Sequence, residues 1–393
     1  MHARLWNVLV GVTAVLGVAC GERQPVAPEG TRALSADRRN LDGPQEIQGE
    51  IGPGALYAVS IPADWNGDLV VFAHGWMFPT DPVALPDIGP FRDGILARGY
   101  GLALSSFSEN GFAVRNGVLQ TRQVRDVFIS NFGQPRRTYL SSGSMGAQVI
   151  MRLAQENPRL YDGVLPMCGP MGGSQMEIDY IMNVRVLFDY FYPGVIPGDA
   201  VHVPEGLDFG TDVVPAVLGA IFANPAPAFE LASVNQVDIL YADFGELIES
   251  ILTGLFFNTL PEFMGDLRER THGHDYFDNT RVVYTGSSND AALNAGVGRF
   301  AAAPDALEFL RHWYEPDGKL AMPVLTVHTT RDPVVPRLHD AAFQAAVAAA
   351  GRSDLLVQRF IDAFGHCSED WADDLAAFDD LRTWVETGIR PTP

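Results

Sequence analysis

Short runs of apolar residues recur along the chain after residue 47, and stretches with helical spacing separate several of them. Residues 55–61 alternate and predict a strand near the sheet edge, and apolar runs follow at 68–73, 101–107, 137–142, 164–167, 323–327 and 355–361. Helical spacing is found in residues 145–155, 338–350 and 371–385. Strands that are covered by helices on both sides are continuously apolar. The pattern therefore predicts an α/β fold, with a mostly parallel central sheet and helices on both faces.

The alternation breaks between residues 171 and about 300. This stretch holds turns rich in Pro and Gly and apolar helical segments, at 178–192, 213–222 and 244–257. No run typical of a buried parallel strand occurs there, so it predicts a mostly helical cap or lid inserted into the sheet domain. The expected core thus has two parts, 48–170 and 301–393, on either side of a cap at 171–300.

The N-terminus resembles an export signal. Arg4 precedes an apolar stretch at residues 5–18, which is short for a membrane span, and Ala19-Cys20 follows. A small residue before a cysteine resembles a bacterial lipobox, in which Cys20 would be lipidated after cleavage. Ordinary cleavage near Ala19 is the alternative. We expect a signal peptide at 1–19, a flexible tether at 20–47, and a cell-envelope lipoprotein or a secreted or periplasmic protein.

Composition limits the partners. The chain has 393 residues, 47% of them hydrophobic, which is enough for one large core with an insertion or for two domains. Its 27 basic and 48 acidic residues give a formal net charge of −21, which repels phosphate backbones. We therefore expect no nucleic-acid partner, and contact with a membrane only through an N-terminal lipid.

The sharpest local signal is the run Tyr-Leu-Ser-Ser-Gly-Ser-Met-Gly at residues 139–146. A strand leads directly into a helix there, and such a turn needs small residues two before and two after the central one. Ser142 and Gly146 satisfy this around Ser144, whereas taking Ser142 or Ser141 as the centre would place Leu or Tyr two before it. The run predicts Ser144 as a nucleophile and the Met145 N–H as an oxyanion donor, unless it is a chance Ser/Gly turn.

A serine hydroxyl needs a base to take its proton and an acid to orient that base. Asp332 follows the apolar run at 323–327 in a Pro-stiffened loop, and His366 lies between the last strand and the last helix. The order Ser144, Asp332, His366 is that of a nucleophile, acid and base in this kind of fold. Asp305 and Asp362 are weaker candidates for the acid, and an ordinary Asp-Pro turn is the alternative for Asp332.

His74-Gly75-Trp76 ends another predicted strand. This position favours an oxyanion N–H from Trp76, with His74 in a structural role. Plain packing of Trp76 against the cap is the alternative.

Together these motifs resemble the α/β-hydrolase superfamily over roughly residues 50–170 and 300–390. The resemblance implies a secreted serine esterase or lipase with no cofactor. The pair His366-Cys367 also resembles the tannase and feruloyl esterase family, in which a cysteine beside the histidine forms a disulfide with one beside the nucleophile. Gly143 occupies that second place here. Cys168, at the end of the following strand, is then the candidate partner of Cys367, and two free buried thiols are the alternative.

The sequence predicts hydrolysis of a small or polymeric carboxylic ester. The same three residues would serve a serine peptidase of the prolyl-peptidase kind or an acyltransferase, and a non-catalytic binding protein is the alternative of another class. The cluster His272-Gly273-His274-Asp275 lacks further ligands at suitable spacing, so we expect no metal.

Overall fold

The computed structural model describes residues 43–393. Eight strands form one sheet. They are β1 Gln45–Ile51, β2 Ala55–Ile61, β3 Leu69–Ala73, β4 Gly101–Ser105, β5 Thr138–Gly143, β6 Gly163–Met167, β7 Val324–Arg331 and β8 Leu356–Phe364.

Twelve α-helices accompany the sheet in the described residues. They are α1 Gly89–Ala97, α2 Val114–Phe132, α3 Gly146–Glu156, α4 Ser174–Phe191, α5 Val214–Ala223, α6 Ala226–Ala232, α7 Phe244–Thr259, α8 Pro261–Arg270, α9 Asp290–Gly296, α10 Pro304–Trp313, α11 Leu338–Ala349 and α12 Trp371–Thr387. A π-helical turn, Phe209–Val213, precedes α5, and a 3-10 turn, Ser353–Leu355, precedes β8.

The strand order is β1-β2-β4-β3-β5-β6-β7-β8. Strand β2 pairs antiparallel with β1 and β4, and all other neighbours pair in parallel. This is the strand order of an α/β-hydrolase sheet, so the predicted fold class is confirmed. The carboxyl ends of the parallel strands meet at one edge, where functional groups collect in such folds.

Both faces of the sheet are buried. On β3, Val70 and Phe72 pack with Phe91 of α1 and Phe378 of α12 on one face. Leu69, Val71 and Ala73 point to the other face, where α2, α3 and α11 pack. Successive side chains on a strand alternate between the two faces, so a strand covered on both sides must be apolar throughout, as the sequence pattern indicated.

The seven helices α4–α10 lie between β6 and β7, and residues 168–323 contain no strand. Their buried side chains belong to the same apolar cluster as one face of the sheet. Helix α7 begins at a capped end, because the Asp243 carboxylate accepts hydrogen bonds from the N–H groups of Gly245 and Glu246. Prolines open α8 and α10, where no N–H donor is needed.

Two boundaries differ from the sequence expectation. Strand β1 begins at Gln45, within the last three residues of the tether expected at 20–47, because its polar edge sequence pairs along its whole length with β2. Strand β7 continues past the apolar run to Arg331, because its polar residues are paired with β8. The expected signal peptide, Cys20 and most of the tether lie outside the described residues.

Among residues 43–393, no single helix has the length and apolar composition needed to cross a membrane. One pair of helical segments, 209–223 and 226–232, has the required length and apolar composition only when the two are taken together, and a bend of 109° separates them.

Candidate active site

Ser144 lies in the tight turn between β5 and α3. Its φ of 54° places the backbone in the left-handed region, which non-glycine residues rarely adopt. The Ser144 N–H donates a hydrogen bond to the Met167 carbonyl oxygen at 3.0 Å. This bond ties the turn to the end of the neighbouring strand β6. The serine side chain therefore stands at the carboxyl edge of the sheet, on a backbone that its neighbours hold in place.

Close backbone contacts explain why small residues surround the serine. A β-carbon on Gly146 would lie 2.3 Å from the Ala73 carbonyl oxygen and 2.7 Å from that of His74. One on Gly75 would lie 3.0 Å from the Ser144 β-carbon. By contrast, a β-carbon on Gly143 would meet nothing within 4 Å. The position two residues after Ser144 thus requires glycine, whereas the position directly before it does not.

Ser144, His366 and Asp332 form a continuous hydrogen-bonded chain. The Ser144 Oγ lies 2.8 Å from His366 Nε2, and His366 Nδ1 lies 2.7 Å from Asp332 Oδ2. Because a carboxylate only accepts, His366 carries its proton on Nδ1, which leaves Nε2 to accept the serine proton. The fold brings these three residues together from separations of 34 and 222 positions along the chain.

Asp332 follows directly after β7 and is buried. Its Oδ1 accepts hydrogen bonds from the N–H groups of Val334 at 2.8 Å and Val335 at 2.9 Å. Burial alone would raise the pKa of Asp332, but His366 and a second histidine, His328, hold it well below its ordinary value. Asp332 is therefore a fixed carboxylate.

The pKa of His366 is set by opposing effects. Burial lowers the pKa of His366, but the negative charge of Asp332 outweighs it, so the net pKa lies above the ordinary value. A raised pKa means that His366 keeps its proton to a higher pH than an ordinary histidine does. His366 is thus a pH-sensitive group next to a carboxylate that stays charged.

His366 lies in a loop that is tied down on both sides. Gly365 donates its N–H to the Arg331 carbonyl at 3.1 Å, and the Thr329 hydroxyl donates to the Gly365 carbonyl at 2.7 Å. Cys367, directly after the histidine, forms a disulfide with Cys168, with their Cα atoms 5.2 Å apart. The two cysteines are therefore bonded, and the alternative of two free thiols is wrong.

The disulfide joins the loop after β8 to the end of β6. Cys168 donates its N–H to the Val327 carbonyl of β7 at 2.8 Å, so the bridge spans three adjacent strand ends. It closes a loop of 199 residues that contains every helix between β6 and β7. In the described part of the chain, the closely spaced group of metal-ligand types is Cys168, His366 and Cys367, and its sulfur atoms are used in this bond.

His74 and Trp76 lie on the other side of Ser144. His74 is buried, stacks on Phe107 at 3.9 Å between ring centres, and lies 2.7 Å from the Gly75 carbonyl through Nδ1. Burial lowers the pKa of His74, so it is a neutral ring in a structural position. Within residues 43–393, neither the Met145 N–H nor the Trp76 N–H donates to another backbone group. Both remain candidates for holding an oxyanion.

An aromatic wall connects Trp76 to the cap. Its ring packs edge-on against Phe257 of α7 at 5.7 Å and Phe263 of α8 at 5.9 Å, and it also contacts Phe78 at 4.8 Å. Phe256 extends the wall towards Phe78 at 6.3 Å. The cap and the loop that carries Trp76 therefore share one apolar surface.

Polar contacts also hold the cap to the core. Arg270 of α8 bonds Glu109 at 2.7 Å and the Asn110 carbonyl at 2.8 Å in the loop after β4. Arg331, at the end of β7, pairs with Glu246 of α7 at 3.0 Å. The Tyr180 hydroxyl of α4 donates to the Pro333 carbonyl at 2.9 Å, beside the acid. The cap is thus held to the loop after β4, to the end of β7 and to the loop that carries Asp332.

The other candidates from the sequence lie elsewhere. Asp305 pairs with His274 at 2.8 Å, and Asp362 is an exposed residue paired with Arg331. Asp275 pairs with Arg268 at 2.7 Å, so His274 and Asp275 each take part in an ion pair.

Sequence reasoning missed His328. Its place near a strand end is unremarkable in the sequence, yet it is buried and lies 3.1 Å from Asp332 and 2.9 Å from Asp340. One signal could have identified it: a histidine directly after a buried apolar run. A buried polar side chain requires hydrogen-bonding or charged partners.

Comparison with known proteins agrees with this fold. Residues 52–205 match the model of a tannase-like family of unknown function (DUF6351), which is less than half of the chain. No curated protein matches the chain significantly.

Solved structures resemble the chain at low identity. An esterase from Aspergillus oryzae has a TM-score of 0.49 and 14% identity, over 88% of this chain and 80% of that one. Feruloyl esterase B from Aspergillus oryzae has a TM-score of 0.47 and 14% identity, over 88% and 81%. The rice cell wall degrading esterase LipA from Xanthomonas oryzae has a TM-score of 0.41 and 14% identity, over 84% and 83%. The predicted resemblance to α/β hydrolases is confirmed, and the family match adds a tannase-like resemblance over residues 52–205.

Proposed function

We propose that this protein is a serine hydrolase that cleaves carboxylic esters through an acyl-enzyme on Ser144. The observation that carries the proposal is the chain of hydrogen bonds from Asp332 through His366 to Ser144. It lies at the carboxyl edge of the sheet, on a serine with a left-handed backbone. Nucleophile, base and acid are each within hydrogen-bonding distance of the next, as this chemistry requires.

The proposed reaction has two halves. His366 Nε2 takes the Ser144 proton while the serine oxygen bonds to the ester carbonyl carbon, and the Met145 and Trp76 N–H groups stabilise the oxyanion. The intermediate then breaks its bond to the alcohol oxygen, which receives the proton from His366. In the second half, water gives a proton to His366 and attacks the acyl carbon, and the Ser144 oxygen leaves with that proton.

The aromatic wall supports an ester with an apolar or aromatic acyl group. Trp76 contributes an oxyanion N–H in this mechanism, and its ring packs against Phe257 and Phe263. An acyl chain on Ser144 would therefore find apolar surface close to the carbonyl being attacked. Such surfaces line most small-molecule sites and contribute binding through the area that they remove from water.

Burst kinetics test this function. Wild-type protein mixed with excess p-nitrophenyl ester should release p-nitrophenolate in a rapid phase equal to the enzyme concentration, followed by slower turnover. Ser144→Ala should give neither phase while keeping the wild-type unfolding temperature. Aminoacyl p-nitroanilides, run in parallel, should be cleaved far more slowly. Faster cleavage of the anilides would replace the esterase with a peptidase, and turnover by folded Ser144→Ala would remove the mechanism.

Export, with lipidation of Cys20, is also proposed. The Cys168–Cys367 disulfide supports it, because structural disulfides persist mainly outside the reducing cytosol. Mass spectrometry of the N-terminal peptide from membrane-bound protein should find an acylated Cys20 as the first residue. An unmodified peptide that begins near residue 20 in the soluble fraction would favour simple cleavage instead.

A further inference from the structure

Two histidines bind the same oxygen atom of Asp332. His366 Nδ1 lies 2.7 Å from Asp332 Oδ2, and His328 Nε2 lies 3.1 Å from that same oxygen. Because both contacts meet at one atom, the two ring nitrogens are less than about 6 Å apart. His328 lies in β7, and Asp332 directly follows that strand, so the two residues are four positions apart in the chain.

His328 has a carboxylate at each end of its ring. Its Nε2 faces Asp332 and its Nδ1 lies 2.9 Å from Asp340 Oδ2, and all three side chains are buried. His328 Nε2 is hydrogen-bonded to Asp332, and Nδ1 makes a close ion-pair contact with Asp340, whose carboxylate oxygens have no hydrogen-bond partner among residues 43–393. A ring that faces a carboxylate at each nitrogen is stabilised as an imidazolium. Burial opposes that charge, but the bonds to Asp332 and Asp340 raise the pKa of His328 to about 10.

Other charged groups surround the set. Arg337 approaches Asp340 at 3.6 Å, so Asp340 has two cationic neighbours. On the cap side, Glu177 of α4 lies 2.9 Å from His339 and acts on His366 in the same direction as Asp332. Glu369, which follows the histidine loop, is buried beside His366 and Asp332. Apart from His366, His328 is the buried basic side chain that directly contacts Asp332 in the described part of the chain.

We infer that His328, held as a permanent imidazolium by Asp340, is a positioning residue that limits how strongly Asp332 stabilises a proton on His366. His366 is thereby free to act as a base at a lower pH than Ser144, His366 and Asp332 alone would allow. The inference rests on the proposed function for its consequence in catalysis, and on the side-chain geometry for the protonation states.

The size of the effect follows from the spacing. Two positive charges less than about 6 Å apart around a shared carboxylate oxygen disfavour one another, by about one pH unit or more at the effective dielectric of protein interiors. His328 also neutralises Asp340, which would otherwise be a second negative charge close to the site. Removing the His328–Asp340 pair therefore removes the nearer positive charge and the more distant negative one, and the nearer charge dominates.

The double variant His328→Gln/Asp340→Asn isolates the charge from the bonding. The introduced glutamine amide can donate to Asp332, so the hydrogen bond to that carboxylate is kept while the charges at 328 and 340 are both lost. Val347→Ala, in the same helix as Asp340, is the control, because it removes buried apolar volume without changing any charge.

Histidine ring NMR titration of ¹³C,¹⁵N-labelled protein gives the first readout, with signals assigned by His366→Gln and His328→Gln. In wild type, His328 should remain doubly protonated from pH 5 to about pH 9. In the double variant, His366 should titrate about one pH unit or more higher, and in Val347→Ala it should not move. A neutral His328 at pH 7, or an unchanged His366 midpoint in the double variant, would overturn the inference.

The pH profile of kcat/KM for a p-nitrophenyl ester gives the second readout. Its acidic limb should move upward by the same amount in the double variant, with the plateau at high pH reduced less than about tenfold. A lower plateau with the limb unmoved would mean that His328 only stabilises the fold, and would overturn the inference. If wild type hydrolyses no ester, the proposed function fails, while the NMR titration still decides the protonation states.

Discussion

The nucleophile and the acid–base pair are held in place by different means. Ser144 is positioned by the backbone: a left-handed turn, and a glycine at 146 whose β-carbon would collide with carbonyl oxygens of residues 73 and 74. Asp332 and His366 are held by backbone N–H groups as well, but side chains add to these: a buried histidine, a second aspartate and a disulfide. Ser144 is thus held mainly by steric constraint, whereas Asp332 and His366 are held also by charge and by a covalent bond.

The difference indicates how each side should fail. The tight turn at Ser144 leaves no space for an added atom at residue 146. A small increase in side-chain size there should therefore disturb folding. The acid–base side is held by groups that can be removed without steric conflict. Changes there should alter reactivity or stability while the fold persists.

Among changes to the acid–base side, Asp332→Asn should have the largest effect on turnover and leave the fold intact. The amide cannot hold His366 in the tautomer that accepts the serine proton, so kcat should fall about 10⁴-fold. Steady-state ester hydrolysis, with circular dichroism for the fold, makes the measurement. A kcat within tenfold of wild type would show that Asp332 is not the acid.

On the nucleophile side, Gly146→Ala compared with Gly143→Ala tests the steric account. The first places a β-carbon against backbone oxygens and should destabilise the protein by about 3 kcal/mol or more. Gly143→Ala meets open space and should change the free energy of unfolding by less than about 1 kcal/mol. Denaturant titration of both variants measures the two losses of unfolding free energy. Equal losses would show that space is not what selects glycine at 146.

The covalent tie on the acid–base side is tested by Cys168→Ala/Cys367→Ala. Losing a bridge that closes 199 residues should cost about 2–5 kcal/mol of unfolding free energy, and ester turnover should fall as the His366 loop loosens. Denaturant titration and kcat measure the two effects. Reduction of wild type under native conditions should reproduce them, and a reduced protein with unchanged stability and turnover would contradict this role.

The smallest effect is expected where the cap meets the oxyanion loop. Phe257→Ala removes apolar surface beside Trp76, so the preference for long or aromatic over short acyl groups should fall about tenfold. Phe222→Ala, whose side chain is 51% exposed on the same cap, should leave the preference unchanged. Ratios of kcat/KM across an ester series give the answer. Equal shifts in both variants would show that the aromatic wall does not determine the preference between acyl groups.

The same contrast explains what could be predicted from the sequence. The turn around Ser144 is a local steric pattern, so residues 142–146 and their strand-to-helix context identified it. The sheet could be predicted as well, because strands buried on both faces are apolar runs. Strand β1 was missed because its edge sequence is polar apart from Ile47 and Ile51 and is defined by its pairing with β2.

The supports of the acid–base side could not be predicted with the same certainty. Cys168 and Cys367 are far apart in sequence, and a free-thiol alternative stayed open until their strand ends were seen together. His328 and Asp340 carry no local pattern, because their roles depend on the fold, which brings His328 within 3.1 Å of Asp332 and Asp340 within 2.9 Å of His328. Sequence order suggested Asp332 and His366, but long-range contacts determine how they are held.

Labelling with a fluorophosphonate probe tests the central claim most directly. The account predicts a single adduct on Ser144, located by peptide mass spectrometry, with labelling that slows at acidic pH as His366 becomes protonated. Ser144→Ala of wild-type stability should take up no probe. An adduct on another residue, or no adduct on folded wild-type protein, would contradict the claim that the two sides of the site meet at an activated serine.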